Sequence, residues 1–269
     1  MADGKTPTFW GLIIGSSSGF GEATSLELAR AGLNIFGVHF DRRSAMPHVS
    51  GIVDQIKALG RDVLFFNINA ADTVKRNDAL DQMQAYWKGK GGDHVVKVLL
   101  HSVAFGSLQP YLCENPEAQL TQAQIEMTLD VMGSNLVYWV QELMRRKMMR
   151  SGSRIYAMTS AGGHSVIPNY GAVSAAKAVL ESHIRQLAFE LMPCGITANA
   201  IQAGVTITPG SSKIPGIDKL AEFAKMRNPG RRLTTPQDVA SAIAALMDDR
   251  TQWMTGNVIR VDGGEDIVT

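Results

Sequence analysis

The chain has 269 residues, a formal net charge of +1 at pH 7 and an apolar fraction of 45%. That apolar fraction is ample for a packed core and argues against disorder, while the balanced charge gives no general case for binding nucleic acid or an anionic membrane surface. Its two cysteines, Cys113 and Cys194, lie far apart without metal-ligand spacing, so we expect a reduced, cytoplasmic setting and no metal site.

The first predicted element, "TFWGLII" (residues 8–14), is a short apolar run that we interpret as a strand. No basic segment precedes it and no long apolar segment follows it, so it is not expected to be a signal peptide. No run of about 18 apolar residues occurs in the chain, and no membrane-spanning segment is predicted.

Short apolar runs alternate with longer helical patterns from this point onward. Near-continuous apolar strands that alternate with helices predict a parallel sheet covered on both faces. We therefore expect the α/β class, with residues 1–269 forming a single domain around a doubly wound parallel sheet of about seven strands. The further strands are predicted at residues 33–40, 62–68, 94–102, 154–160, 196–202 and 257–263. The helices are predicted near residues 21–32, 48–59, 73–88, 122–150, 168–192 and 235–248.

The turn after the first strand is rich in glycine and reads "GSSSGFG". Glycine lets a backbone approach a pyrophosphate closely, and the free N–H groups at a helix N-terminus attract its negative charge. An ordinary tight turn is the alternative, but the strand–turn–helix context favours a dinucleotide site. The predicted cofactor contacts in this turn are Gly15, Ser17, Ser18, Gly19, Phe20 and Gly21.

The end of the second strand, "VHFDRR", bears on the choice of cofactor. An acidic residue at this point would accept hydrogen bonds from the adenosine ribose, whereas arginine would pair with a 2′-phosphate. His39 occupies the usual acidic position, and Arg42 and Arg43 follow shortly after it. We expect these three residues to contact the cofactor and NADPH to be favoured over NADH. The alternative is that both arginines belong to a solvated loop.

The segment "IPNYGAVSAAKAVLES" (167–182) places Tyr170 and Lys177 on one predicted helix. Their spacing of seven residues is close to two full helical turns, so both side chains are expected on the same face and in one site. A phenol and an ammonium group placed together can stabilise a developing oxyanion. The alternatives are a packing aromatic at a helix start for Tyr170 and a snorkelling surface lysine for Lys177.

These motifs resemble the short-chain dehydrogenase/reductase family over nearly the whole chain. The resemblance rests on the glycine spacing and on the segments "FNINAAD", "IQAGVTIT", "TPQDVASAIAALM" and "RVDGG". It implies a Rossmann-type fold, a nicotinamide cofactor and a homotetramer. It also implies further cofactor contacts, which are Asn69, Ala70, Ala203, Gly204, Val205, Thr206 and Thr208.

Within that family, the spacing of Tyr170 and Lys177 resembles the enoyl-acyl-carrier-protein reductases, whose segment contains I-P-N-Y followed by six residues and a lysine. Carbonyl-reducing members instead keep a tyrosine four residues before the lysine, where this chain has Val173. The segment "HSVAFG" (101–106) is also similar to enoyl reductases. It implies cofactor contacts from Ser102, Val103 and Ala104.

Two further positions bear on the branch of the family. Met132 aligns with the position where carbonyl reducers have a catalytic asparagine, and enoyl reductases lack that asparagine too. Ser160 lies ten residues before Tyr170, where many enoyl reductases have another tyrosine, and it also aligns with the catalytic serine of ordinary short-chain enzymes. The chain therefore most resembles an enoyl-reductase branch without the upstream tyrosine.

The resemblance implies reduction of the carbon–carbon double bond of an enoyl thioester, carried on acyl carrier protein or coenzyme A, in fatty-acid synthesis. Tyr170 would donate to the thioester oxygen, Lys177 would hold the nicotinamide ribose, and Ser160 would be a supporting hydrogen-bonding residue. One alternative is a carbonyl-reducing or alcohol-oxidising enzyme of 3-oxoacyl or hydroxysteroid type, which Ser160 favours and Val173 opposes. Another is a nicotinamide-binding sensor without turnover.

A Gly/Pro-rich segment at residues 206–232 has only weak periodicity and follows a predicted strand. It should lie at the carboxyl edge of the sheet, where ligands bind in such folds, and we interpret it as a mobile substrate lid. Its basic residues would steer an anionic carrier or coenzyme A thioester, or would simply be solvated. They are Lys213, Lys219, Lys225, Arg227, Arg231 and Arg232. A second basic run at 143–150 is interpreted as solvated charge at a helix C-terminus.

Overall fold

Seven parallel strands form one sheet, in the order β3-β2-β1-β4-β5-β6-β7, in the computed structural model, which describes residues 7–268. The strands are Thr8–Ile14 (β1), Asn34–His39 (β2), Val63–Asn67 (β3), His94–His101 (β4), Arg154–Ser160 (β5), Thr197–Ala203 (β6) and Val258–Val261 (β7). Strands β5 and β6 are buried almost throughout because helices cover both faces of the sheet. The predicted α/β class and Rossmann-type parallel sheet are confirmed.

The helices divide between the two faces of the sheet. They are Gly19–Arg30 (α1), Met46–Ala58 (α2), Thr73–Lys90 (α3), Gln122–Leu129 (α4), Asn135–Arg145 (α5), Gly171–Leu191 (α6), Ile217–Arg227 (α7) and Pro236–Leu246 (α8). Side chains alternate across a strand, so Leu12 and Ile14 of β1 pack on the face covered by α3, α5 and α6, and Ile13 packs on the opposite face with α1, α2 and α8.

The long helix predicted at 122–150 is interrupted. Helix α4 ends at Leu129, a π-helical turn spans Asp130–Ser134, and α5 begins at Asn135. Gly133 lies in that turn, where a Cβ atom would come within 3.2 Å of the Ala176 carbonyl oxygen of α6. The small residue lets the two helices approach closely at the π-turn, a feature often found at functional sites.

The segment 206–232 also differs from its weakly periodic sequence. It contains a short 3₁₀ turn at Ser211–Lys213 and the helix α7, in which Ala221 and Ala224 are buried. The glycines and prolines that weaken the periodic pattern lie outside α7, which explains why the helix was not predicted.

Between β1 and β4 the order in which successive strands are added to the sheet changes direction: β2 and β3 lie on one side, and β5, β6 and β7 lie on the other. Strands β1 and β4 end side by side. The Ser102 N–H donates to the Ile14 carbonyl oxygen at 2.7 Å. In open α/β sheets, ligands bind in the crevice outside the carboxyl ends of the strands at such a switch point. Within residues 7–268, no helix combines the length and the apolar character that crossing a bilayer requires.

Candidate active site

A pocket of about 370 Å³ opens at the carboxyl ends of β4, β5 and β6. It brings together twelve of the residues that the sequence analysis singled out. They are Phe20, Ser102, Val103, Ala104, Ser160, Tyr170, Lys177, Ala203, Gly204, Val205, Thr206 and Thr208. The first part of the predicted lid, from Thr206 to Leu220, contributes to the wall of the same pocket.

The other predicted contacts do not line this pocket but lie along the same carboxyl edge of the sheet. They follow β1, β2 and β3, which are neighbouring strands. These residues are Gly15, Ser17, Ser18, Gly19, Gly21, His39, Arg42, Arg43, Asn69 and Ala70. Gly19 links the two groups, since a Cβ atom at Gly19 would lie 3.2 Å from the Thr208 methyl group of the pocket wall.

The glycine turn after β1 is packed too tightly for side chains. A Cβ atom at Gly21 would lie 1.9 Å from the Gly15 carbonyl oxygen, and one at Gly15 would lie 2.3 Å from the Ser102 carbonyl oxygen. Gly15 also has φ +95°, which glycine adopts readily. Ser18 is the N-cap of α1, and its side chain makes no capping hydrogen bond. The backbone N–H groups that open α1 therefore fit the pyrophosphate of a dinucleotide.

The loop after β2 is held by His39 and Asn67. The buried His39 ring places Nδ1 2.9 Å from Asp41 Oδ2. The Asp41 backbone N–H donates to Asn67 Oδ1, and Asn67 Nδ2 donates to the Asp41 carbonyl oxygen, each at 3.0 Å. Arg42 and Arg43 are exposed, and neither forms a salt bridge with any residue in the range 7–268.

The loop after β3 is anchored from α5. Trp139 Nε1 donates to the Ala70 carbonyl oxygen at 3.1 Å, and both residues are buried. Asn69 is exposed, and its Oδ1 accepts the Ala71 N–H at 3.0 Å in a local turn. Asn69 therefore lies on the open side of the carboxyl edge, while Ala70 fixes the loop.

Tyr170 does not lie within the helix, contrary to the expectation from the sequence. It is the N-cap of α6, with φ −102° and ψ 4°, and the helix begins at Gly171. Asn169 just before it has φ +62°, a conformation that asparagine tolerates better than most residues. The Tyr170 carbonyl oxygen still accepts the Ser174 N–H at 2.8 Å, which begins the helical hydrogen bonds. The Tyr170 and Lys177 side chains nevertheless line the same pocket.

The Tyr170 ring is buried against a glycine. A Cβ atom at Gly162 would lie 2.7 Å from Tyr170 Cε1, so the ring needs the missing side chain. Burial raises the pKa of the Tyr170 phenol, and the nearby Ser160 hydroxyl opposes that rise. No hydrogen bond of ordinary geometry joins the two side chains, and the buried Ser160 Oγ has no partner among residues 7–268. The Ser160 hydroxyl therefore remains available to a ligand.

Lys177 is buried and its Nζ donates to the Met158 carbonyl oxygen at 2.6 Å. Burial lowers the pKa of Lys177 to about 8, while Glu181 one turn further along α6 opposes the shift. Burial and the Lys177 charge lower the pKa of His101 to about 3. Neither ring nitrogen of His101 has a hydrogen-bond partner within residues 7–268. Lys177 is thus mostly charged at neutral pH and His101 is neutral.

Val173, at the tyrosine position of carbonyl reducers, forms an apolar wall. It is buried with Val131, Met132 and Ala176, and it lines the pocket. A Cβ atom at Gly106 would lie 2.8 Å from Val173 Cγ2, so the loop after β4 covers this side chain closely. Among the described residues that line the pocket, Tyr170 is the only tyrosine.

Sequence reasoning did not identify Glu265, a buried carboxyl that also lines the pocket. It follows the "VDGG" segment after β7 and reaches the pocket because β7 is the neighbour of β6. An acidic residue directly after a glycine pair was the available signal. The rest of the apolar wall beside Val173 was also not predicted; it consists of Phe105, Leu108, Met132, Ile167, Ile214 and Leu220.

Comparisons with known proteins identify the family of this chain. A family model described as enoyl-(acyl carrier protein) reductase matches residues 14–265. The NADH-dependent enoyl-acyl-carrier-protein reductase FabI of a Nostoc species is 28% identical over 98% of this chain and 97% of its own length. A cyclohexanol dehydrogenase of a Rhodococcus species is 27% identical, with 94% of each chain covered.

Two solved structures show the same fold. FabI from Candidatus Liberibacter asiaticus has a TM-score of 0.82 and 21% identity, with 98% of this chain and 97% of that chain covered. The promiscuous reductase LugOII, which catalyses a keto-reduction, has a TM-score of 0.82 and 24% identity, with 96% of this chain and 98% of that chain covered. On the family match, the protein described here belongs to the short-chain dehydrogenase/reductase family and is most like its enoyl-acyl-carrier-protein reductases.

Proposed function

We propose that the protein is a nicotinamide-dependent oxidoreductase that reduces the carbon–carbon double bond of an enoyl thioester. The observation that carries this proposal is the presence of Tyr170 and Lys177 in one pocket, with the buried Val173 at the tyrosine position of carbonyl reducers. The similarity to FabI proteins supports the same reaction. The tight glycine turn and the uncapped start of α1 fit the pyrophosphate of the cofactor.

The side chains in the pocket would stabilise the negative charge that develops during the proposed reaction. A bound nicotinamide would supply the hydride for the β-carbon of the substrate. Negative charge then develops on the thioester oxygen, and Tyr170 donates its phenolic hydrogen to that oxygen. Because burial raises the pKa of Tyr170, the phenol stays protonated until the oxyanion develops on the substrate. The enol would then return its O–H proton to Tyr170 and take a proton from solvent at the α-carbon, so that one hydride and one proton are added in total.

Lys177 acts through its charge and its position. Within residues 7–268 its Nζ makes one hydrogen bond, to Met158, so two of its three N–H groups remain for the nicotinamide ribose hydroxyls. The positive charge also favours the oxyanion that develops beside Tyr170. The free Ser160 hydroxyl adds a hydrogen-bonding group on the same side of the pocket. The apolar wall provides room for the acyl chain.

We propose NADPH as the favoured cofactor. Asp41 is the only carboxylate within the "VHFDRR" segment, and it is engaged by His39. The exposed Arg42 and Arg43 make no salt bridge within residues 7–268, so both guanidinium groups are available to a 2′-phosphate.

The lid supplies the surface for a negatively charged carrier protein or coenzyme A. Three exposed lysines on it make no salt bridge within residues 7–268. They are Lys213, Lys219 and Lys225. The arginines of the run at 143–150 are instead paired with Glu142, Asp81 and Asp93. Positive charge is therefore more available at the lid, where it would steer an acidic partner towards the pocket.

We extend the proposal to a homotetramer in the cytoplasm. Exposed Phe189, Trp253 and Val258 are large apolar side chains away from the pocket, of the kind that subunit interfaces cover. Light scattering coupled to size-exclusion chromatography measures the assembly directly. A mass of one or two chains would contradict this part of the proposal.

A second candidate is a carbonyl-reducing or alcohol-oxidising enzyme. The free hydroxyl of Ser160 close to Tyr170 favours it, because such enzymes use a serine and a tyrosine on one carbonyl oxygen. The similarity to the cyclohexanol dehydrogenase supports the same alternative.

The test compares two thioesters with each of NADPH and NADH. We expect oxidation of the cofactor with crotonyl-coenzyme A and little or none with acetoacetyl-coenzyme A. Tyr170→Phe should lower kcat by about 10²–10³-fold, the loss typical of removing one oxyanion donor. Tyr138→Phe, which alters a tyrosine on the surface of α5, serves as the matched control and should leave kcat unchanged. Turnover of acetoacetyl-coenzyme A alone would favour the second candidate.

A further inference from the structure

Glu265 is a carboxyl group in the pocket that the proposed reaction does not use. It is 3% exposed and lies beside Gly204 and Val205 in the pocket wall. The Val205 N–H donates to both Glu265 oxygens, at 3.2 Å each. No lysine, arginine or histidine in the range 7–268 forms a salt bridge with it. It is therefore a buried carboxyl whose hydrogen-bonding capacity is only partly used.

The position of this carboxyl is well defined by the turn that carries it. The Asp262 carboxylate accepts the Gly264 N–H at 2.9 Å and the Asp266 N–H at 3.0 Å, and the Glu265 N–H donates to the Asp262 carbonyl oxygen at 3.2 Å. A Cβ atom at Gly204 would lie 2.9 Å from Glu265 Oε2, so the carboxyl packs directly on the backbone after β6. Such a group can orient a ligand in the pocket.

The chemistry of the carboxyl limits what it can bind. A buried acceptor needs N–H or O–H donors, because leaving it unpaired costs free energy. The acyl thioester group of the proposed substrate has a carbonyl oxygen but no such donor, and it would be repelled by a carboxylate. The carboxamide of the nicotinamide ring has an NH₂ group, which is a donor of the kind that this acceptor needs.

We propose that Glu265 accepts a hydrogen bond from the carboxamide NH₂ of the nicotinamide ring and so positions the ring. The proposal rests on the proposed function, because it assumes a nicotinamide cofactor. Burial raises the pKa of Glu265, and the Val205 N–H, the Arg227 charge and a hydrogen bond from the Asn228 side chain oppose that rise. Glu265 is a positioning residue in this scheme, and its effect should be visible in cofactor binding without any substrate.

The test removes the NH₂ group from the ligand and the carboxylate from the protein. The ligands are NADP⁺ and its 3-acetylpyridine analogue, in which a methyl ketone replaces the carboxamide, with the NAD⁺ pair run beside them. Isothermal titration calorimetry gives each Kd for the parent and for Glu265→Gln. We expect the parent to prefer the carboxamide ligand by about tenfold, the worth of one hydrogen bond to a charged group. The preference should fall to about threefold in Glu265→Gln, because the amide oxygen still accepts the hydrogen bond but carries no charge.

Glu190→Gln is the matched control, since it makes the same change at an exposed carboxyl of α6 and should keep the parent preference. If Glu265→Gln does not fold, Glu265→Asp replaces it, because the shorter carboxylate withdraws from the pocket and should lower the preference as well. An unchanged preference in the folded variant would overturn the proposal. Because no thioester is present, a failure of enoyl reduction would be seen separately, in the turnover assay.

Discussion

The pKa of Lys177 should set an alkaline limit on the proposed activity. Burial lowers this pKa to about 8, and the charge of Glu181 only partly opposes the shift. Because Tyr170 has a raised pKa, its ionisation lies on the alkaline side and does not set this limit. We expect kcat/KM for crotonyl-coenzyme A to be level below pH 7 and to fall about tenfold per pH unit above about 8, as the ammonium loses its proton.

Lys177→Arg is the informative variant for this limit. Its guanidinium stays charged throughout the range, so the alkaline decline should move to higher pH even if the maximum is lower. The measurement is the pH profile of kcat/KM from pH 6 to pH 10, with the stability of each protein checked at every pH. A decline at the same pH in both proteins would assign it to another group.

His101 should make the folded state sensitive to acid. Its pKa in the folded protein is about 3, below the ordinary value of 6.5, so between these values the unfolded chain binds a proton that the folded chain does not. The free energy of unfolding should therefore fall as pH falls below about 6.5, by up to about 1.4 kcal/mol per pH unit.

His101→Leu removes this contribution together with two buried ring nitrogens that have no partner within residues 7–268. Urea denaturation at pH 7, 6 and 5 gives the slope in the parent and in the variant. We expect a shallower slope in His101→Leu and an unchanged one in His48→Gln, which alters an exposed histidine of α2. Equal slopes in the parent and His101→Leu would mean that His101 takes up its proton in the folded state.

Tyr170 and Lys177 could be predicted from the sequence because they belong to one short continuous segment. The N-cap conformation of Tyr170 could not, since it depends on the backbone of Asn169 and on space left by Gly162 from another segment. Glu265 was not predicted from the sequence, for a related reason. Its side chain enters the pocket through the pairing of β6 with β7, which no local pattern reveals.

The turn after β5 sets the position of the Tyr170 ring at the start of α6. Gly162→Ala would put a Cβ atom 2.7 Å from Tyr170 Cε1, so the ring must move. Displacement of a catalytic group by about 1 Å can cost up to about 100-fold in rate. We expect kcat to fall by about 10- to 100-fold while the cofactor Kd stays within twofold, because the glycine turn after β1 is untouched.

Gly51→Ala in α2 is the matched control for this prediction. Among residues 7–268, no atom outside the helix and the adjacent residues lies within 4 Å of a Cβ atom at Gly51, and an alanine inside a helix is more favourable than a glycine. Steady-state kinetics with crotonyl-coenzyme A and calorimetric cofactor binding together separate the two effects. A normal kcat in Gly162→Ala would show that the Tyr170 ring does not need its present position.

Elements with a strong period or a clear boundary were the ones that the sequence could define. The strand bounds of β1 and β5 agree with the predicted residues 8–14 and 154–160. The π-turn after α4 was missed because one extra residue per turn leaves the apolar pattern nearly unchanged. Helix α7 was missed because it is short and neighbouring glycines and prolines obscured its apolar periodicity.

At the scale of the whole molecule, the carboxyl edge of one sheet assembles segments that are distant in the chain. Alternating strands and helices were enough to predict a parallel sheet, but the order of the strands follows only from their pairing. That order places the loops after β1, β2 and β3 beside one another and the pocket at β4, β5 and β6. A dinucleotide would thus contact most strands of the sheet at once.

A ligand that spans the sheet should stabilise the whole fold. Binding to the folded state alone adds about 2.7 kcal/mol at a ligand concentration of 100 times the Kd, and a protein of this size gains roughly 2–4 °C in Tm for each kcal/mol. We expect NADPH to raise the Tm by several degrees, and by more than the same concentration of NADH. The reason is that Arg42 and Arg43 are exposed without a salt bridge in residues 7–268, while His39 engages Asp41.

The double variant Arg42→Ala/Arg43→Ala isolates the 2′-phosphate. It should lose the advantage of NADPH and keep the Tm shift caused by NADH, because NADH has no 2′-phosphate to lose. Arg250→Ala, a change in the exposed turn before β7, should behave like the parent with both cofactors. A larger Tm shift with NADH than with NADPH in the parent would mean that the end of β2 accepts a hydrogen bond from the adenosine ribose hydroxyl. NADH binding would then require Asp41 to separate from His39, since Asp41 is the only carboxylate in that loop.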